Sequence, residues 1–168
     1  MREAVFHSRE GWAENLRQIT DKNQLPLIKP EREVDVAFSG SNSLLATDQG
    51  VRGFLQITND MCFVASDVIG LSNWDVPGLI EDDIDSSQIT LAIKSLEKEP
   101  CYLFIKAICE ELTKFDWRTS STPGLDDARR RAQMIFKGSS GYKELRTQLI
   151  DLLRLSNDQL IKKTAQQL

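Results

Sequence analysis

Between Pro100 and Phe115 the apolar side chains fall at Leu103, Phe104, Ala107, Ile108, Leu112 and Phe115. Steps of three and four place them on one stripe of an α-helix, whereas a half-buried strand would need strict alternation. This pattern constrains the fold more than any other feature. A chain of such segments can bury its stripes only by packing helix on helix. Tyr102 and Ile105 widen the apolar surface, so this segment is expected to be buried on more than one side. Pro100 suits a first helical turn, where its missing N–H costs nothing.

The same spacing recurs along the chain. Residues 2–20 carry Val5, Trp12, Leu16 and Ile19 and read as one helix, weakened at Gly11. Thr47 is expected to cap a central helix over 48–65, with Val51, Phe54, Leu55, Thr58, Met61, Cys62 and Ala65 inward. Gly50 and Gly53 would let another backbone approach it closely. Ser86 and Ser87 introduce a helix reaching Glu97, with Ile89, Ala92, Ile93 and Leu96 inward. A helix over 125–137 follows, with Ala128, Arg131 or Ala132, and Ile135 along its faces, and Gly138 stops it. Ser139 or Ser140 then caps a helix whose inward set is Tyr142, Leu145, Leu149, Leu152 and Leu153. A last short helix starts at Ser156 or Asn157 and carries Leu160, Ile161 and Ala165; the tail after it is expected to fray.

Between these segments the signals are weaker. Pro26 and Pro30 mark an extended connection. Val34 to Phe38 alternates as a short strand or strap would. Residues 116–124 read as a polar loop, and Trp74 as a plug over the core. The expected fold class is therefore all-α: a compact bundle of about six helices with at most one or two short strands. One helical domain is expected over residues 1–168, a length ample for a hydrophobic core.

Several function classes find no support in the residues. Composition is that of a globular chain, 40% hydrophobic and 27% charged. No apolar run approaches the ~18 residues of a membrane span, and the N-terminus is charged, so a cytoplasmic protein with no membrane partner is expected. The three cysteines, Cys62, Cys101 and Cys109, are odd in number and lie in apolar surroundings, which reads as buried free thiols. With one histidine, His7, no zinc ligand set forms, and no metal or other cofactor is expected. Gly40-Ser41-Asn42-Ser43 lacks the lysine of a phosphate-binding loop. The acidic run Glu81, Asp82, Asp83 and Asp85 has no EF-hand spacing and reads as a solvated capping loop. Any Ser-His-Asp site would depend wholly on His7, so the balance is against an enzyme.

Charge is unevenly spread. The chain carries −4 overall, but residues 128–168 hold nine Lys and Arg against three acids, a local +6, leaving −10 on residues 1–127. The densest part reads as helix, Gly-Ser turn, helix. Its candidate nucleic-acid-binding residues are Arg129, Arg130, Lys137, Ser140, Gly141, Lys143 and Arg146. Cations would meet phosphates, and the N–H groups of Ser140 and Gly141 at a helix start would cradle an anion. The alternative is a solvated face with acid-first links, Asp126 to Arg130 and Asp127 to Arg131. Two functions are thus expected to compete: an accessory protein touching DNA or RNA, or a helical adaptor binding a larger protein partner.

Segments 42–53 (Asn-Ser-Leu-Leu-Ala-Thr-Asp-Gln-Gly-Val-Arg-Gly) and 136–142 (Phe-Lys-Gly-Ser-Ser-Gly-Tyr) resemble the C-terminal helical part of bacterial DGQHR-domain proteins. Those are associated with DNA phosphorothioation and phage defence. The resemblance implies a DNA-linked role in a DNA-modification or antiviral-defence system. The Asp-Gly-Gln-His-Arg motif itself is absent: Asp48-Gln49-Gly50 has another order and no histidine. No site residue follows from the resemblance.

Overall fold

The computed structural model describes residues 1–23, Ala37, 40–73 and 86–168. Within them the chain is mainly helical: α1 Arg2–His7, α2 Gly11–Asn23, α3 Asp48–Ala65, α4 Ser86–Leu96, α5 Pro100–Leu112, α6 Asp127–Met134, α7 Gly141–Arg154 and α8 Gln159–Ala165. Short 3₁₀ turns cover Leu44–Ala46 and Leu71–Asn73. Strand pairing among the described residues is confined to one antiparallel bridge between Ser43 and Arg118. The expected strand at 34–38 (Ala37 apart), the Pro26/Pro30 connection, Trp74 and the acidic run 81–85 lie outside the described residues.

The centre is the pair α3 and α7. Thr47 caps α3 as its sequence position implies: its Oγ1 accepts from Gly50 N at 3.1 Å. The buried face of α3 is rotated from expectation. Gly50, Gly53, Ile57, Met61, Cys62 and Ala65 point inward, while Val51 and Leu55 are exposed and Phe54 and Thr58 are half-buried. Tight packing on the glycines decides the rotation. A Cβ on Gly50 would stand 1.8 Å from the Leu44 carbonyl oxygen, and one on Gly53 would stand 2.8 Å from Leu145 Cδ2. The close approach expected at these glycines is made by backbone at Gly50 and by a side chain at Gly53. From α7 come Leu145, Leu149, Ile150 and Leu153. Across them lie Cys101, Phe104, Ile108, Cys109 and Leu112 of α5, with Leu103 turned outward. Helix α8, capped by Asp158 through bonds from Leu160 N and Ile161 N, adds Ile161, Thr164 and Ala165. Its tail does not fray: backbone bonds continue to Leu168, which packs on the core.

The single helix expected over 2–20 is two helices. Ser8 is extended, with φ −64° and ψ 137°, and ends α1. Arg17 bonds back to the carbonyls of Val5, Phe6 and Ser8, satisfying the open end of α1. Val5, Trp12 and Leu16 remain inward. Pattern alone joined the helices because the inward positions keep helical spacing across the break.

The polar loop after α5 is the largest departure. Trp117, Arg118, Thr119, Ser120 and Thr122 are buried. Trp117 Nε1 donates to Leu112 O, and Leu44 N donates to Trp117 O. Thr119 N and Thr122 Oγ1 both donate to Asn42 O, and Thr119 Oγ1 donates to Ser41 O. Backbone and hydroxyl groups thus pair across as many as 80 residues of sequence, which lets a polar segment lie inside. Arg118 is held by both Asp116 oxygens and by Asn15 Oδ1.

Helix α4 has no buried residue among the described ones; of its expected inward set Ile89 and Ile93 are exposed, as is Leu91, while Ala92 and Leu96 are half-buried. No described helix is long and apolar enough to cross a membrane.

Candidate functional site

The basic stretch forms α6, a turn and the start of α7. Asp126 caps α6 by accepting from Arg129 N at 2.8 Å. Leu125, Gln133 and Phe136 anchor the stretch, while Ala128, Ala132 and Ile135 are exposed. Helix α6 ends at Met134, and the chain turns through Gly138 at φ +94°.

The candidate cations separate into two groups. Arg130 does not reach out to solvent as a free group; its guanidinium donates to Ser120 O at 2.9 Å and Leu125 O at 3.4 Å. Arg146 is paired with Asp60 of α3, at 2.6 and 2.8 Å to one carboxylate oxygen. These two tie elements together. Arg129 stands exposed beside Asp126 at 3.5 Å. That pair replaces the expected Asp126–Arg130 link. Lys137 and Lys143 are exposed and have no side-chain partner among the described residues. Arg131, read as a possible inward residue, shares that condition.

The anion cradle is largely closed from within. Gly141 N donates to Gly138 O, Lys143 N donates to Ser140 O, and Tyr142 N donates to Gln49 Oε1 at 3.1 Å. Gly141 is buried, and a Cβ there would fall 2.1 Å from Phe136 O, so the turn folds onto itself. Ser140 takes the cap position without a side-chain cap bond; Gln49 supplies one from α3 instead. Tyr142 is half-buried. Through Gln49 and Tyr142, segments 42–53 and 136–142 meet in space.

Beside the turn lie two cavities that share Gln133 and Phe136. The larger, about 600 Å³, is bounded by Trp12, Phe115, Asp116, Arg118, Arg129 and Gln148 among others. The smaller, about 250 Å³, lies between the 3₁₀ turn before α3, the buried loop and Lys137. Sequence reasoning missed both, because each wall joins the loop read as surface to segments distant along the chain. A third cavity, about 420 Å³, separates α1 from α5 and is lined by His7, Tyr102, Lys106, Cys109 and Glu110 among others. His7 itself is exposed, edge-on to Phe6, with no Ser or Cys bonded to it among the described residues.

All three cysteines are free and buried. Burial pushes the Cys62 thiol above its usual range, and the neighbouring Cys101 and Cys109 push the same way. Among the described residues no group of three His, Cys, Asp or Glu could hold a metal ion.

Comparison with family models, curated proteins and solved structures yields no match.

Proposed function

We propose that the chain is a nucleic-acid-associated accessory protein that holds phosphates against Arg129, Arg131, Lys137 and Lys143. One observation carries this reading: Arg131 on α6, Lys137 in the turn after it and Lys143 at the start of α7 stand exposed with no side-chain partner among the described residues, and Arg129 is exposed on α6 beside Asp126. Four phosphate contacts would give a log-affinity slope against log salt of about −3.6 on a duplex. The resemblance of segments 42–53 and 136–142 to DGQHR-domain proteins supports DNA, in a modification or defence setting, as the partner. The test is a salt titration on unrelated duplex sequences. Lys137→Ala with Lys143→Ala should flatten the slope by about two and weaken all sequences alike. Failure of the wild type to bind at low salt overturns the reading.

A second reading has its own observation. Val51, Leu55 and Phe63 lie at four- and eight-residue steps along the outer side of α3 and are 38%, 58% and 78% exposed. An apolar stripe of this kind suits a partner helix laid along it. A protein that co-purifies from cells without nucleic acid, and is lost on Leu55→Ser with Phe63→Ser, would favour the adaptor.

A further inference from the structure

Met134, the last residue of α6, and Ile135, which follows it, are 55% and 50% exposed. They cannot turn inward, because the other side of the helix is already fixed. Leu125, Gln133 and Phe136 are buried there, and Arg130 is tied to the carbonyls of Ser120 and Leu125. Arg131 stands three and four residues before the pair, so the three side chains share one outer patch. The chain keeps turning past the helix, with Lys137 N donating to Met134 O at 3.0 Å, and sets Lys137 beyond the pair. Two exposed cations with no side-chain partner among the described residues thus bracket two exposed apolar side chains. Asp127, a turn before Arg131, bounds the patch at its other end.

The surroundings define what such a patch meets. Residues 128–143 carry five cations, Arg129, Arg130, Arg131, Lys137 and Lys143, and no acid. Charge of one sign favours a polyanion. Apolar tips between the cations suit the apolar part of a nucleic acid, its stacked bases. Arg131 and Lys137 are six residues apart, roughly 10 Å along the axis at ~1.5–2 Å per residue. Their long side chains can reach the two strands beside a minor groove about 6 Å wide, with the apolar pair over the base steps between them. We propose that Met134 and Ile135 press between base pairs of a duplex from its minor groove and kink it, while Arg131 and Lys137 hold the flanking phosphates. The proposal rests on the phosphate-binding reading above and adds to it a substrate class: duplex whose stacking opens easily, at a pyrimidine–purine step or a mismatch.

The experiment measures fluorescence energy transfer between dyes at the two ends of a short duplex at low salt. Binding by the wild type should raise the transfer, as a kink of roughly 20–90° brings the ends together. A duplex with one central mismatch, where a step is already loosened, should bind at least about tenfold more tightly than its matched counterpart. Met134→Ala with Ile135→Ala should abolish both the rise and the preference, and should keep the salt slope of the matched duplex. Both side chains are exposed, so this variant should keep its thermal midpoint. No rise with the wild type, equal affinity for the two duplexes, or either effect kept by the variant overturns the apolar wedge, while salt-dependent binding of the matched duplex leaves the phosphate reading standing. No binding of either duplex overturns both.

Discussion

The side chain of Gln49, in the first turn of α3, accepts a hydrogen bond from the backbone N–H of Tyr142 at the start of α7. One side chain therefore caps a helix that begins 92 residues later, at Gly141. Gln49→Ala should destabilise the fold by about 1 kcal/mol, the usual effect of a lost cap. Denaturant unfolding reads this directly, and an unchanged midpoint would show that the bond contributes nothing.

Two leucines separate the true core from the expected one. Leu149 of α7 is fully buried, so Leu149→Ala should lose about 2–5 kcal/mol. Leu55 was expected to be inward but is 58% exposed; Leu55→Ala should stay within about 0.5 kcal/mol. A large loss at Leu55 would mean that its stripe is covered.

The glycines of α3 should differ in sensitivity. Gly50→Ala drives a methyl into the rigid Leu44 carbonyl and should destabilise by about 3 kcal/mol. Gly53→Ala meets only the Leu145 side chain, which can rotate, and should cost about 1 kcal/mol. Thermal unfolding of the two variants checks the order.

The basic residues should divide by function. Arg130→Ala strands the Ser120 and Leu125 carbonyls and should lower stability by about 1–3 kcal/mol while leaving the salt slope of duplex binding intact. Arg146→Ala breaks a pair about one-third exposed and should lose roughly 1 kcal/mol or less. A flattened slope in either variant would return that arginine to the interface.

Cys62 should mark the alkaline limit. Its thiol is raised by burial, so above about pH 8.5, where an unfolded thiol ionises, the native state holds the proton and the unfolded state does not. The contribution is thus intact below that pH and declines above it. Cys62→Ala should reduce the fall in stability between neutral and alkaline pH, measured by denaturant midpoints. The same fall in the variant would assign it to other groups.

Local periodicity was enough for the helical class, for α5, α7 and α8, and for Thr47 as the cap of α3, because spacing and caps act within a few residues. The inward set of α7 was legible at Leu145, Leu149 and Leu153 because one side only of that helix is apolar. On α3 apolar residues stand on two sides, and hydrophobicity cannot tell which one packs. The contact at Gly53 against Leu145 decides it.

The candidate site divides in the same way. Sequence alone determined that positive charge gathers around residues 129–146 and that the chain turns at Gly138. Tertiary structure decided which of those charges remain open: Asp60 takes Arg146, the backbone of residues 120 and 125 takes Arg130, and Gln49 closes the helix start. It also buried the polar loop 117–122, because carbonyls of residues 41 and 42 receive its donors. Both decisions are made by groups far apart along the chain, and a hydrogen bond depends on the distance and angle between two atoms, which residue spacing in one segment does not encode.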